Sequence, residues 1–291
     1  MAQATVAGPR NFSLIGFIRL VRVGNLFIVV ATQYLAGIFL IGQEDSWWSR
    51  LTDRHLFLLT LSTIMIAAAG YIINDYYDVK IDVINKPQRV VIDRLLKRRV
   101  AMGAHLVLST LGIVIGTALH WKVGLINIGA AGLLWLYSSF LKRLPLLGNL
   151  TIALLTSSTL AVLAVYYRQN EAMLFTFAIY AFFMTLVREI VKDLEDMRGD
   201  ASHGCKTLPI LWGVSKTKKL IYGLIAAFIA VLFPLSALLS DRVGYFFLLL
   251  LLPLSWLTVL LVRADTVQDF TFLSRLCKWI MIAGMLSMLL L

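Results

Sequence analysis

Apolar residues run in nine blocks along the chain, at positions 26–41, 56–73, 104–119, 123–141, 150–166, 173–187, 220–239, 243–262 and 276–291. With its flanks, each block approaches the roughly 20 residues that a helix needs to cross a bilayer, except the last, which is short and begins beside Arg275 and Lys278. The pattern therefore predicts an all-α integral membrane protein with nine transmembrane helices. Charged residues collect between the blocks. With the amino end inside, only Arg50, Arg54, Lys122, Arg168 and Arg242 of the 27 Lys and Arg residues fall on the outer side. That asymmetry records a nine-crossing topology with the amino end in the cytoplasm.

Two polar stretches stand out where blocks end. Asn74-Asp75-Tyr76-Tyr77-Asp78-Val79-Lys80-Ile81-Asp82 follows the second block, and Asp193-Leu194-Glu195-Asp196-Met197-Arg198-Gly199-Asp200 follows the sixth. If the helices continue through them, Asp75, Asp78 and Asp82 share one face at i, i+3 and i+7, and Asp193, Asp196 and Asp200 repeat the spacing. Asn74 joins Asp78 at i+4. Both stretches open long inner loops, so their placement points to an internal duplication within a single domain spanning residues 1–291.

Composition agrees with the pattern. With 59% hydrophobic and 15% charged residues and a mean hydropathy of +0.83, the chain is too apolar for an ordinary soluble domain. Its net charge of +11 would suit nucleic acid in a soluble protein, but here it reads as topology, and no nucleic-acid partner is expected. Cys205 and Cys277 lack paired spacing, which argues against a disulfide framework or a zinc site. Residues 1–11 lack the apolar core and cleavage site of a removable signal peptide.

Single aspartates at helix ends are commonly just solvated. Two matched sets of carboxylates on helix faces at a membrane edge repel themselves and are better explained by a bound cation. A ligand set of oxygens without His or Cys selects Mg²⁺ carrying the phosphate oxygens of a substrate, and two facing clusters could hold a diphosphate between metal ions. The expected metal set is Asn74, Asp75, Asp78, Asp82, Asp193, Asp196 and Asp200, whose six carboxylates are also the catalytic candidates. Arg22, Lys80, Lys86, Arg89, Lys142, Arg143, Lys192 and Lys206 fall on the same side and could complete a clamp. Tyr71 and Tyr137 are candidates to line a cavity, where a ring face could steady a cation. Trp47, Trp48 and Trp121 read as interface anchors. His55, His105, His120 and His203 show no ligand spacing.

The two motifs resemble the paired signatures of the UbiA superfamily of intramembrane prenyltransferases, an Asn-Asp-x-x-Asp-x-x-x-Asp run and an Asp-x-x-Asp-x-x-x-Asp run, both complete here. The likeness extends to Arg22-Val23-Gly24-Asn25, Asn85-Lys86-Pro87, Tyr137-Ser138 with Leu141-Lys142-Arg143, and Thr207-Leu208-Pro209. It implies a nine-helix bundle around a lipid-open central cavity, Mg²⁺-dependent ionisation of a prenyl diphosphate, and transfer of the prenyl group to an acceptor. It also favours Arg22, Lys142 and Arg143 as phosphate contacts and Asn25 as a ligand-site residue. Within the superfamily, the stretches 74–89 and 188–196 are most similar to the digeranylgeranylglyceryl phosphate synthase branch. That branch follows its first motif with Pro and Gly in a tight turn, where this chain has Val90-Val91-Ile92-Asp93.

The resemblance implies transfer from geranylgeranyl diphosphate to a glycerol-phosphate lipid such as geranylgeranylglyceryl phosphate. An aromatic acceptor of the hydroxybenzoate or naphthoate type is the alternative inside the family. A cation or phosphate-metabolite transporter is the alternative outside it, though both acidic clusters fall on one side and no acidic path leads across.

Overall fold

Hydrocarbon offers no water to backbone amides, so an apolar chain crosses a membrane as helices that satisfy their own hydrogen bonds. The structure is a computed structural model describing residues 13–42, 46–85, 90–202, 204–237 and 241–290, and these are helical apart from short connections. In chain order the helices are α1 (Leu14–Leu20), α2 (Val23–Leu35) running into a π-helical turn (Ala36–Ile41), α3 (Trp47–Leu51), α4 (Arg54–Asn85), α5 (Arg98–Leu119) and α6 (Trp121–Ser139). A 3₁₀ turn (Leu141–Arg143) then leads to α7 (Leu147–Tyr167), α8 (Glu171–Ser202), α9 (Leu208–Ala237), α10 (Asp241–Arg263), α11 (Val267–Leu286) and a final 3₁₀ turn (Ser287–Leu290).

Among the described residues, seven helical stretches are long and apolar enough to cross a membrane. The other two apolar blocks are also helical, as α6 and as α10, in which Phe247–Arg263 forms a shorter apolar stretch. The last block is longer than its apolar run indicates. It begins at Val267, where Thr266 and Asp269 close a capping box, and its span Val267–Leu290 covers 24 residues. Asp269, Arg275 and Lys278 hide this start from a reading based on hydropathy alone.

Contacts divide the chain into two compact units, Met1–Val30 with Leu61–Ser139, and Ala31–Thr60 with Phe140–Leu291. Composition marks no boundary, because both units are built from apolar helices and the chain passes between them inside α2, inside α4 and just after α6.

In the first unit, Leu20, Val21, Ile72, Val79, Val91, Ile92, Leu96 and Ala101 form a buried core. It joins the α1–α2 corner to α4 and to the loop before α5. Val90, Val91 and Ile92 are thus packing residues. The turn that follows is tight without the Pro-Gly pair: Asp93 adopts φ 67° and its N–H donates to Leu96 O at 2.9 Å. Aspartate tolerates this left-handed conformation better than most residues.

In the second unit, α8 is the central helix, packed by α7, α9 and α11. Its spanning window is 61% buried, whereas that of α9 is only 22% buried and leaves most of its surface for lipid. Gly284 of α11 lies against the Tyr180 ring of α8, so closely that a Cβ would fall 2.2 Å from it. Gln33, fully buried, donates to Thr159 O at 2.7 Å. Where α7 hands over to α8, Tyr167 Oη donates to Asp53 at 2.8 Å, and Asn170 Nδ2 donates to Leu40 O at 2.6 Å within the π-helical turn. The second bond gives a partner to a carbonyl of the irregular turn.

The acidic motifs lie in the last third of α4 and α8, each 32 residues long. Such helices run about 48 Å against about 30 Å of hydrocarbon. The surplus lets each helix keep its polar end toward the headgroups while its apolar part spans the hydrocarbon.

Candidate active site

In the first unit the α1–α2 corner delivers a cation to α4. Arg22 sits at the joint with φ 52°, its N–H donating to Arg19 O at 3.2 Å and its carbonyl accepting from Asn25 N at 2.8 Å. A left-handed non-glycine residue costs about 1–2 kcal/mol. Here it turns the arginine onto α4, where Nη2 meets Asp75 Oδ1 at 2.8 Å. The guanidinium carbon lies 5.1 Å from the centroid of the Tyr71 ring. Tyr71 and Asp75 are one helical turn apart and present one face. Three residues singled out by sequence therefore meet in one contact.

Asn74 and Asp78 are half-buried on α4, and Asn25 is half-buried in the first turn of α2. Neighbouring tyrosines brace the motif. Trp135 Nε1 donates to Tyr77 Oη at 3.0 Å. The Arg98 guanidinium lies 5.2 Å from the centroid of the Tyr76 ring and pairs with Asp93 at 3.2 Å. Tyr137, near the end of α6, is half-buried. Asp82 and Lys80 are on the helical backbone of α4, but their side chains lie outside the described structure, as do Lys86 and Arg89 entirely.

In the second unit Asp193, Asp196 and Asp200 are half-buried along one face of α8, and Lys192 is exposed beside them. Asp193 lies within electrostatic reach of Glu189 and Asp200, offset by Lys192. Its Oδ2 accepts a hydrogen bond from Asn149 Nδ2 at 2.9 Å. Asn149 is itself only 7% exposed. Sequence reading passed over this residue; the signal available was an amide at the mouth of an apolar block, directly after a glycine.

The corner that delivers Asn149 also carries Lys142 and Arg143. Leu146 turns the chain with φ 64°. A Cβ on Gly148 would meet Lys142 Cα at 2.9 Å and Leu141 O at 3.1 Å, so glycine is required for this close approach. Lys206 N–H donates to Arg143 O at 3.0 Å, tying the loop before α9 to the same corner. Lys142 is half-buried, while Arg143 and Lys206 are exposed.

The first motif belongs to one unit and the second to the other, and each stands on the geometry of its own helix. Among the described residues no three Asp, Glu, His or Cys side chains close into a ready-made metal cage. Mg²⁺ commonly does without one, binding through one or two carboxylates together with water and substrate phosphates. Asp193, held by a neutral amide with Glu189 and Asp200 on the same helix, suits that chemistry. His105, given no role by sequence, has Nδ1 3.0 Å from Ala69 O and ties α5 to α4.

Fold and site define a polytopic helical membrane protein in which oxygen-only acidic helix faces stand beside cationic corners. Residues 29–281 match the model of the UbiA prenyltransferase family. The digeranylgeranylglyceryl phosphate synthase of Pyrococcus horikoshii is 36% identical over 211 residues, covering 72% of this chain and 74% of the relative. That of Saccharolobus solfataricus is 30% identical over 281 residues, covering 96% and 97%. A solved structure concerning digeranylgeranylglyceryl phosphate synthase in membranes superposes with a TM-score of 0.77 at 25% identity, covering 94% of this chain and 96% of that one. A UbiA homolog from Archaeoglobus fulgidus bound to GPP and Mg²⁺ shares the fold, with a TM-score of 0.66 at 17% identity over 94% and 99%. The chain belongs to the UbiA prenyltransferase family and is an integral, multi-pass membrane prenyltransferase.

Proposed function

We propose that the protein transfers an isoprenyl group from a prenyl diphosphate, with geranylgeranyl diphosphate as the expected donor, to the hydroxyl of a glycerol-phosphate lipid such as geranylgeranylglyceryl phosphate. The observation that carries this reading is the end-to-end similarity to the Saccharolobus solfataricus synthase, over 96% of the chain. In the reaction the bond between C1 of the prenyl group and the diphosphate oxygen breaks, an ether bond to the acceptor oxygen forms, and the hydroxyl proton is lost.

Asn74, Asp75, Asp78, Asp82, Asp193, Asp196 and Asp200 are the residues that would hold Mg²⁺. When bound, the metal supplies positive charge to the departing diphosphate. Arg22, Lys142 and Arg143 bind phosphate oxygens, with Lys80, Lys86, Arg89 and Lys192 as further cations at the same membrane edge. Asn25 orients the ligand, and Tyr71 and Tyr137 offer ring faces to the cationic prenyl fragment. Apolar helix surfaces hold the isoprenoid chain and exclude water, which would otherwise capture the allylic carbon. A motif carboxylate takes the acceptor proton. The basic-residue asymmetry supports a cytoplasmic membrane location with the amino end and both motifs on the cytoplasmic side, the protein acting as one catalytic domain.

The test incubates purified protein with labelled geranylgeranyl diphosphate, Mg²⁺ and a panel of acceptors, followed by mass spectrometry. A prenylated glycerol phosphate is the expected product. A prenylated aromatic acid in its place would reassign the acceptor, and metal-dependent uptake into vesicles without product would overturn the enzyme reading.

A further inference from the structure

We propose that Asn149 is a positioning residue for the metal-bearing carboxylate Asp193, and that the turn from Leu141 to Asn149 sets this carboxylate and the Lys142–Arg143 pair from one corner. The inference rests on the Mg²⁺ reading above and adds to it a residue outside both acidic motifs.

Three observations carry it. First, Asn149 is buried and donates its amide to Asp193 Oδ2 at 2.9 Å. A side chain so placed must use its polar atoms or bear the cost of desolvation. Second, the donor is neutral. A lysine or arginine there would cancel the charge of Asp193, and an aspartate would add to the repulsion from Glu189 and Asp200. An amide fixes one carboxylate oxygen, leaves the net charge intact and leaves the other oxygen for a further ligand, which is the usual arrangement around metal-ligating carboxylates. Third, the placement of Asn149 is enforced by the residue before it. Gly148 abuts the Lys142 backbone with no room for a Cβ. The corner is also fastened to the loop before α9 through the bond from Lys206 N to Arg143 O. Moving Asn149 therefore moves the backbone that carries the cations.

The test measures Mn²⁺ and Mg²⁺ binding to the full-length protein in detergent micelles by titration calorimetry, with and without inorganic pyrophosphate, for the wild type and for Asn149→Ala, Asn149→Leu and Thr151→Ala. Thr151 is the control, because its hydroxyl donates within its own helix, to Leu147 O at 2.7 Å. The expected result is a loss of about 10- to 100-fold in metal affinity for Asn149→Ala, with thermal unfolding close to wild type and Thr151→Ala unchanged. In turnover, the apparent Mg²⁺ requirement should rise while kcat at saturating Mg²⁺ recovers in part. Asn149→Leu keeps the approximate size of the side chain and removes the donor without adding charge, so it reports even if the alanine variant folds poorly. Metal affinity equal to wild type in either folded variant overturns the inference. Failure of the wild type itself to bind metal would instead strike the Mg²⁺ reading, which separates the two.

Discussion

Arg22 combines a strained backbone, an ion pair and a proposed phosphate contact, and two substitutions separate these roles. Arg22→Ala removes the 2.8 Å pair with Asp75 and the contact with Tyr71 but keeps a Cβ at φ 52°. Arg22→Gly removes the same contacts and relieves the backbone. The pair is partly exposed, at 43% for the arginine and 18% for the aspartate, so after solvent screening it contributes about 1 kcal/mol or less. The ring contact adds about 0.5–1 kcal/mol. Releasing the left-handed strain returns about 1 kcal/mol, partly offset by the greater freedom of glycine in the unfolded chain. Arg22→Gly should therefore unfold a few degrees above Arg22→Ala in detergent micelles, at roughly 2–4 °C per kcal/mol. Pyrophosphate affinity should fall about tenfold or more in both, the worth of one charge-assisted hydrogen bond. Mg²⁺ affinity without pyrophosphate should hold or rise, since Asp75 loses a competing cation. Unchanged pyrophosphate binding in both variants would remove Arg22 from the phosphate site, and an alanine variant as stable as the glycine one would refute the strain argument.

Asp78→Ala and Asp196→Ala should each leave a folded membrane protein, judged by circular dichroism and size-exclusion chromatography, that has lost turnover. Wild-type rates in either would remove that residue from the mechanism. Gly284→Ala would drive a Cβ into the Tyr180 ring and should lower stability by about 1–3 kcal/mol, seen as a depressed melting temperature. Treatment with EDTA should abolish product formation, and added Mg²⁺ should restore it; turnover that persists in the chelator would count against a metal-dependent reaction.

The helices were legible because the bilayer leaves the backbone few alternatives, and α4 and α8 stood out because carboxylates at i, i+3 and i+7 have no ordinary place beside long apolar blocks. Local exceptions were harder to read. The meeting of Arg22 with Tyr71 and Asp75 depends on one left-handed residue between two helices, a backbone choice that no side-chain pattern announces. Asn149 escaped because a single amide at a membrane edge looks like any polar helix cap, and only the path of Gly148 past Lys142 shows where it is aimed. The last helix was underestimated because its capping box places polar residues where hydropathy falls. The loop 90–96 departs from the Pro-Gly pattern yet still turns tightly, since Asp93 accepts the conformation that glycine usually supplies while Val91 and Ile92 anchor it.

The surplus length of α4 and α8 bears on how greasy molecules reach the chemistry. Drawing an isoprenoid into water would cost about 0.8 kcal/mol for each methylene, or about 8 kcal/mol for a ten-carbon tail. Acidic ends that stop near the headgroups let the charged end of such a molecule react while its tail stays dissolved among lipids. Reactant and product can then arrive and leave by lateral diffusion, without a carrier to shield them from the aqueous phase.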